Sequence, residues 1–289
     1  MRRMTGRASQ ADHTPSRILA ATDGSERAME AVRQAARLAA SVGADLLLVH
    51  VLDTGRTVDV GVDVEGDAER TLDAGRAIAR SLDVVPDARV LSGDPSVALI
   101  EFAETNGVDL VCLGPDAGVL GGAIRIGRVA IHILRESRCS VLVARHAEPN
   151  FPSRIGCAVD GSEASVDTAL AAAALAAATG AELRLVHVVP VFRGHNAEWT
   201  LGPDEASPPE MEPSVTAAMS LGVNPIREMA MGRPERALVA AAEREELDLM
   251  VVGHRGIRGV RRVLGSVSEH VSHHAPCSVM VVRDADVAG

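Results

Sequence analysis

Two copies of the motif Asp-Gly-Ser-Glu, at Asp23–Glu26 and Asp160–Glu163, place a carboxylate at the end of a short apolar run. Such a carboxylate can accept hydrogen bonds from a ribose hydroxyl or from an amine of a bound ligand. The serine is also suited to begin a helix, because Ser25 and Ser162 can each accept a backbone N–H and a glutamate follows in the first turn. The motif therefore predicts a ligand contact, and a helix cap alone would also explain it.

A second candidate site lies in the segment Gly253–Glu269, which reads GHRGIRGVRRVLGSVSE. Glycines at its start, Gly253 and Gly256, allow a close approach of the backbone to a phosphate. Gly265 and Ser266 then open a helix, whose free N–H groups and dipole favour an anion. The basic residues of this stretch are Arg255, Arg258, Arg261 and Arg262. These features predict a phosphate site, and the alternative is a flexible glycine-rich loop with a solvated basic face.

The matching segment of the first half, Gly114–Ala130, has a weaker version of this pattern. The gap between its first two glycines is three residues instead of two, and Arg128 stands where Ser266 stands in the second half. Asp116 adds a negative charge where a phosphate would bind, although Arg125 still favours an anion. We therefore expect the second half to hold the better site.

Histidines and cysteines give less specific signals. His270, His273 and His274 have helical spacing, and Cys277 follows them, but the absence of a further nearby ligand favours a polar helix face over a metal site. His50 and His187 occupy matching strand positions, so we interpret both as structural. The four cysteines form no CxxC pair and are expected to be buried thiols of a reducing compartment: Cys112, Cys139, Cys157 and Cys277.

Catalytic patterns are absent from the sequence. No spacing is typical of a Ser-His-Asp or Cys-His arrangement, no Walker A lysine is present, and no GxGxxG follows the first strand. We therefore predict no catalytic residues.

The chain that must position these motifs is a tandem repeat. RILAATDGSE from Arg17 reappears as RIGCAVDGSE from Arg154, and GADLLLVHV from Gly43 reappears as GAELRLVHV from Gly180, both at an offset of 137 residues. A unit of this length is the size of one domain. We predict a disordered tail at residues 1–15, a first domain at 16–147 and a second domain at 148–289, joined by the proline-containing linker 146–153.

Short apolar runs alternate with alanine-rich amphipathic stretches in each half. This order is typical of βαβ units, and we predict two tandem open five-stranded parallel-sheet α/β domains with helices on both faces. The strands expected in the first half are Ile18–Ala21, Leu46–Val51, Ala88–Leu91, Leu110–Leu113 and Val141–Ala144. Its expected helices are Ser25–Val42, Asp67–Leu82, Pro95–Asn106 and Arg128–Glu136. The strands expected in the second half are Ile155–Val159, Leu183–Val188, Ile226–Met229, Leu249–Val252 and Val279–Val282.

Composition argues against several partners. The chain has three Phe, one Trp and no Tyr, so it lacks the aromatic surfaces on which nucleic-acid bases stack. Its net charge of −10 does not attract a phosphate backbone or an anionic bilayer. The longest apolar run, Ala169–Ala178, is too short to span a membrane. We therefore expect a cytoplasmic protein without nucleic-acid or membrane partners.

Taken together, DGSE, LVHV and the terminal GxxG…GS…PC-x-VxVV pattern resemble the universal stress protein family over nearly all of residues 17–283. The resemblance implies an adenine nucleotide α-hydrolase-like, Rossmann-like fold that binds ATP, AMP or ADP, with Mg²⁺ accompanying the nucleotide. It also implies pairing through the last strands, either within the chain or in a homodimer.

The resemblance places Asp160 on the ribose and adenine side of the nucleotide. The residues near the base would be Ala158, Val188 and Val252. Ribose and phosphates would be bound by Gly253, Gly256, Gly265 and Ser266. The counterparts in the first half are Ala21, Asp23, Val51, Leu113, Gly114, Gly118 and Gly127, with Arg128 in place of the serine.

Two departures from the family pattern bear on the site. The gap before the last glycine, Gly127 or Gly265, is eight residues in both halves, where the family has nine. The first half also lacks the G-x-x-G spacing and the hydroxyl. In the second half an insert, Phe192–Pro213, is expected either to cover the base as a lid or to be disordered.

Three functions fit these observations. The first is a nucleotide-binding regulator or protective protein of the stress response. The second is a slow ATPase, against which stands the lack of an evident general base. The third is an interaction module that pairs through its strands without nucleotide, which the short gap supports.

Overall fold

The computed structural model describes residues 13–55, 63–115, 119–120, 123–124, 126–189, 208–254 and 264–283. Each half of the chain forms a five-stranded parallel sheet with helices on both faces, as the alternation of elements predicted. Among the described residues, no helix combines the length and the apolar character that crossing a membrane requires.

The strands of the first half are β1 (Arg17–Ala21), β2 (Asp45–Asp53), β3 (Asp87–Gly93), β4 (Leu110–Leu113), β5 (Val119–Leu120), β6 (Ala123–Ile124) and β7 (Ser140–Val143). Those of the second half are β8 (Arg154–Val159), β9 (Glu182–Val189), β10 (Ile226–Met231), β11 (Leu249–Gly253) and β12 (Ser278–Val282). The helices are α1 (Glu26–Val42), α2 (Val64–Arg80), α3 (Pro95–Thr105), α4 (Arg128–Glu136), α5 (Glu163–Thr179), α6 (Glu212–Ser220), α7 (Pro234–Arg244) and α8 (Ser266–His274). Strands β5 and β6 pair with each other outside the main sheet.

The two halves share one ten-stranded sheet. The strand order is β3-β2-β1-β4-β7 in the first half and β10-β9-β8-β11-β12 in the second. All neighbours within a half are parallel, whereas β7 and β12 meet antiparallel, with Val141 opposite Val281 and Val143 opposite Val279. The pairing of the last strands that the family resemblance implied therefore occurs within the chain.

The core is built from aliphatic side chains in two layers. Helices α1, α2, α5 and α6 cover one face of the sheet, and α3, α4, α7 and α8 cover the other. Alanines line the buried faces of α1 and α5, as at Ala35 and Ala172, which are both fully buried. Their small side chains let these helices lie close to the sheet, so the core does not need large aromatic residues.

The Asp-Gly-Ser-Glu motifs begin helices. The side-chain oxygens of Ser25 and Ser162 accept the backbone N–H groups of Ala28 and Ser165, both over 3.2 Å, as the N-cap interpretation predicted. The same two helices, α1 and α5, end in left-handed glycines at equivalent positions. The repeat thus preserves both ends of this helix.

Three of the four thiols are buried, as expected of small hydrophobic cysteines. Cys112 and Cys157 are fully buried, Cys277 is 4% exposed and Cys139 is half-buried. Burial raises the pKa of the Cys157 thiol to about 12, and that of Cys277 also rises to about 12. These thiols are therefore protonated and inert at neutral pH.

Candidate functional site

The candidate site lies at the C-terminal ends of β8, β9 and β11 in the second half. Strand β8 is flanked by β9 on one side and β11 on the other, so the strand order reverses at this point. Open α/β sheets bind ligands in the crevice formed at such a reversal. Asp160 directly follows β8, while Val188 lies near the end of β9 and Gly253 ends β11.

An apolar floor forms under this crevice. Val252 is 2% exposed and belongs to the core on the α7 and α8 face, and the half-buried Ala158 and Val188 pack against the same core. The three residues expected to lie near an adenine base are therefore brought together on one face of the sheet. The partial exposure of Ala158 and Val188 leaves apolar surface for a flat ring to cover.

The first turn of α8 provides hydrogen-bond donors at the same edge. Gly265 is the N-cap and Ser266 the first helical residue, and no side chain of the described residues caps this helix. In α5, by contrast, Ser162 satisfies a backbone N–H of the first turn. An N-terminus without a side-chain cap keeps its N–H groups and positive dipole end available to an anion. The exposed Ser266 adds a hydroxyl.

Hydrogen bonds hold the start of α8 against the end of β11. The backbone N–H of Gly265 donates to the carbonyl oxygen of His254 over 3.0 Å. The hydroxyl of Ser268 donates to the carbonyl oxygen of Gly253 over 2.5 Å. Gly253 and Gly265, twelve residues apart in the sequence, are thus brought together. Apart from its place in the first turn of the helix, nothing in the sequence marks Ser268 as a partner of Gly253.

Asp160 has a structural role within its own turn. Its Oδ1 accepts the backbone N–H of Ser162 over 3.0 Å and the Ser162 hydroxyl over 2.5 Å. Gly161 between them has a φ of +81°, which side chains rarely tolerate. Glu210, which precedes α6, packs against this glycine: a Cβ on Gly161 would lie 3.0 Å from the Glu210 Cβ. The turn therefore fixes the position of the Asp160 carboxylate at the crevice.

The first half repeats this arrangement with differences. The residues placed at the ends of β1, β2 and β4 are Ala21, Asp23, Val51, Leu113 and Gly114. Asp23 is exposed, whereas its counterpart Asp160 is half-buried. The Oδ1 of Asp23 accepts the backbone N–H of Ser25 over 2.9 Å. Gly127 is the buried N-cap of α4, and the exposed Arg128 follows it.

Gly114 is explained by packing. A Cβ at this position would lie 2.8 Å from the carbonyl oxygen of Arg27 and 3.0 Å from the backbone nitrogen of Ala28. The end of β4 therefore abuts the backbone of the first turn of α1, and a side chain would force the two apart. The structure thus supplies a reason for this glycine that does not involve a ligand.

Several residues of the predicted sites lie outside the described residues. These are Gly118 and Gly256, the charged residues Asp116, Arg125, Arg255, Arg258, Arg261 and Arg262, and most of the predicted insert. The end of that insert, residues 208–213, is described, and α6 begins within it at Glu212. Only its last two residues, Glu212 and Pro213, are helical, and the expectation of a lid or a disordered segment falls mainly on residues outside the described part of the chain.

The strand histidines are structural, as interpreted from the repeat. The Nδ1 of His50 donates to the carbonyl oxygen of Thr22 over 2.8 Å, and that of His187 donates to the carbonyl oxygen of Val159 over 3.0 Å. Both bonds join the second strand of a half to the end of its first strand. They hold together two of the three strand ends that form each crevice.

The histidines of α8 stack against each other. The rings of His270 and His274 lie 4.0 Å apart and nearly parallel, and His274 Nδ1 donates to the His270 carbonyl oxygen over 2.9 Å. Burial lowers the pKa of His270, and the nearby His274 lowers it further. Within the described parts of the chain, no group of three or more His, Cys, Asp or Glu side chains is arranged to hold a metal ion.

Comparison with known proteins agrees with this architecture. The model of the universal stress protein family matches the chain twice, over residues 15–145 and 152–283. The chain belongs to the universal stress protein family. A universal stress protein of Mycobacterium tuberculosis is 29% identical over 297 residues, which cover 93% of this chain and 96% of that protein.

Other members of the family match one or both halves. A universal stress protein of Methanocaldococcus jannaschii is 34% identical over 149 residues, or 49% of this chain and 87% of that protein. The crystal structure of a universal stress protein from Archaeoglobus fulgidus superposes with a TM-score of 0.73 at 20% identity, covering 93% of this chain and 98% of that one. This structural similarity, which extends over both halves of the chain, supports the tandem fold.

Proposed function

We propose that this universal stress protein binds an adenine nucleotide, ATP in the first instance, at the crevice of the second domain, and that the bound nucleotide regulates a response to stress. The observation that carries the proposal is the start of α8, which no side chain in the described part of the chain caps and which is hydrogen-bonded to the end of β11 at the reversal of strand order. An anion-binding helix end and an apolar floor meet there, as a nucleotide requires.

In this proposal each part of the crevice contacts one part of the ligand. Ala158, Val188 and Val252 contact the base through apolar surface, and Asp160 accepts a hydrogen bond from the ribose. The phosphates lie over the backbone of Gly253, Gly256 and Gly265 and are bound by the Ser266 hydroxyl. Mg²⁺ would accompany the triphosphate and offset its charge, which matters in a chain whose net charge is −10.

A regulatory role fits the connection of α8 to both domains. The N-terminus of this helix faces the proposed phosphate site, and the Ser272 carbonyl in its last turn accepts a hydrogen bond from Arg145 of the first domain. A nucleotide that repositions α8 would therefore change contacts between the domains. We place this action in the cytoplasm, since three buried, unpaired cysteines suit a reducing compartment. A homodimer would have to use a surface other than β7 and β12, which pair with each other.

Nucleotide released from the purified protein tests the proposal. We expect acid extraction of the wild type to release adenine nucleotide, and we expect Gly265→Glu to abolish it because a carboxylate would occupy the anion site. Ser266→Ala should reduce the amount by removing one donor. If the wild type releases no nucleotide and does not bind added ATP, the proposal fails and the chain is a nucleotide-free interaction module. Phosphate release above the no-protein background would show that bound ATP is hydrolysed.

A further inference from the structure

A charged cleft of about 550 Å³ lies on the opposite face of the sheet from α4 and α8. One wall is the face of α1 that carries Arg27, Arg33 and Arg37, and the other is the segment that follows β7. The three arginines are called the arginine stripe below. The lining of the cleft contains four arginines and three glutamates: Arg27, Arg33, Arg37, Arg145, Glu26, Glu30 and Glu148. Cavities of this size accept small organic molecules. The cleft is separate from the proposed nucleotide site, which is built on the α8 side of the second domain.

Arg37 forms no ion pair with a carboxylate among the described residues, although Glu30 and Glu148 also line the cleft. Its Nη1 donates to the backbone carbonyl of Glu148 over 3.2 Å, and its Nε is buried without a hydrogen-bond partner in the described structure. Burial lowers the pKa of Arg37, although the nearby Glu30 raises it. Arg33, by contrast, forms an ion pair with Glu30 one turn earlier. A guanidinium that is partly desolvated and bonded only to a neutral carbonyl gains from an added oxyanion.

The second domain has no equivalent of this arginine stripe. At the offset of 137 residues, Arg27, Arg33 and Arg37 correspond to Ala164, Leu170 and Ala174 of α5. The stripe therefore does not belong to the features that the repeat preserves. These three arginines outnumber the two glutamates of α1 that line the cleft, Glu26 and Glu30, and so give this helix face a net positive charge in an acidic chain.

We infer that this cleft binds a small organic anion whose carboxylate or phosphate group pairs with Arg37. The remaining walls suit an organic body, because Pro115, Ala144, Ala147 and Pro149 offer apolar surface beside the guanidinium groups. Arg37 supplies a planar fork of donors that matches either oxyanion. Since one wall is α1 and the other is the segment leading into the linker, the anion would fasten this segment to the first domain.

Titration with two probes, inorganic phosphate and glutarate, tests this inference in the full-length protein at pH 7. We expect saturable shifts of the backbone amide signals of residues 144–149 in NMR spectra, with a dissociation constant in the range of about 1 mM. Arg37→Met should weaken binding by roughly tenfold or more through the loss of a charged hydrogen bond. Arg37→Lys, which keeps the charge without the fork, should restore part of the affinity. If only phosphate binds, the anionic group of the ligand is a phosphate. If only glutarate binds, that group is a carboxylate.

Two controls separate this site from others. Arg89→Met removes an exposed arginine of β3 that pairs with Asp87, and it should leave both titrations unchanged. Gly265→Glu should also leave them unchanged, because it alters only the proposed nucleotide site. Linear, non-saturating shifts in the wild type would overturn the inference. Anion binding that survives Arg37→Met but disappears in Gly265→Glu would overturn it as well, by placing the anion at α8.

Discussion

The guanidinium of Arg145, just after the last strand of the first domain, donates a hydrogen bond to the carbonyl oxygen of Ser272 in the second domain over 2.6 Å. Arg283, at the equivalent place in the second domain, donates to the carbonyl oxygen of Leu134 in the first over 2.7 Å. Each arginine therefore follows the last strand of one domain and satisfies the last turn of the final helix of the other. A cation is favourable there because it meets the negative end of the helix dipole.

The two crossed contacts differ in burial. Arg145 is 2% exposed and also donates to the Cys277 carbonyl over 3.0 Å, whereas Arg283 is half-buried. We expect Arg145→Met to lower the free energy of unfolding by about 2 kcal/mol, because it leaves buried carbonyl groups without donors. Arg283→Met should cost less, about 1 kcal/mol, because water can replace the lost donor.

Equilibrium urea unfolding of the two variants beside the wild type measures this difference. The matched pair controls for the loss of an arginine at the same place in the repeat. An equal loss of stability in both variants, or a larger loss for Arg283→Met, would contradict the view that burial sets the strength of these contacts.

The serine caps give a second prediction about stability. Ser162 caps α5 through the Ser165 N–H and also donates its hydroxyl to Asp160. Ser25 caps α1 through the Ala28 N–H, and among the described residues its hydroxyl donates to no carboxylate. We expect Ser25→Ala to cost about 1 kcal/mol. Ser162→Ala should cost more, because the Asp160 carboxylate loses a partner. Thermal unfolding of both variants checks the order, and a smaller effect at Ser162 would refute it.

Gly114→Ala tests whether packing explains a glycine of the nucleotide pattern. The added Cβ would meet the Arg27 carbonyl oxygen at 2.8 Å, so α1 must shift, and we expect a loss of about 1–3 kcal/mol. ATP binding at the second domain should not change, because that crevice is on other strands. Urea unfolding and an ATP titration of the same sample give both answers. Unchanged stability would mean that Gly114 is not a packing residue.

Buried thiols predict a pH dependence. The pKa of Cys157 is raised to about 12 in the folded protein by burial, from 9.0 in an exposed thiol, and that of Cys277 is raised similarly. The unfolded chain therefore loses these protons first as the pH rises above 9. The contribution of the protonated thiols to the free energy of unfolding is therefore complete below pH 9, and it declines between pH 9 and about 12.

A thiol reagent tests the same burial directly. At pH 8 we expect Cys112, Cys157 and Cys277 to resist a disulfide reagent in the folded protein, and all four cysteines to react in urea. The half-buried Cys139 serves as the internal comparison, since it is the most accessible of the four. Rapid labelling of three or more thiols without denaturant would contradict the arrangement.

The sequence predicts the elements well because local signals repeat in both halves. The expected strand Leu110–Leu113 and helix Arg128–Glu136 coincide with β4 and α4, and Ser25 caps α1 as its motif indicated. Helix α2 begins at Val64, three residues before the expected start, because Asp63 caps it by accepting the Gly66 N–H. A single aspartate in an acidic stretch is a weak signal for a helix start.

What the sequence does not predict depends on contacts across the sheet. The roles of Arg145 and Arg283 follow from the antiparallel meeting of β7 and β12, which brings each arginine to a helix distant in the chain. The bond from Ser268 to Gly253 depends likewise on how β11 and α8 meet. The sequence shows which amino acids these residues are, but no local pattern in it indicates the residues to which they bond.

An ATP titration of Gly265→Glu and Gly127→Glu beside the wild type tests the central claim most directly. The two substitutions introduce the same charge at equivalent N-caps, of α8 and α4. We expect calorimetry to detect ATP binding in the wild type, Gly265→Glu to abolish it and Gly127→Glu to leave it nearly unchanged. Equal binding in wild type and Gly265→Glu would contradict the placement of the nucleotide at the start of α8.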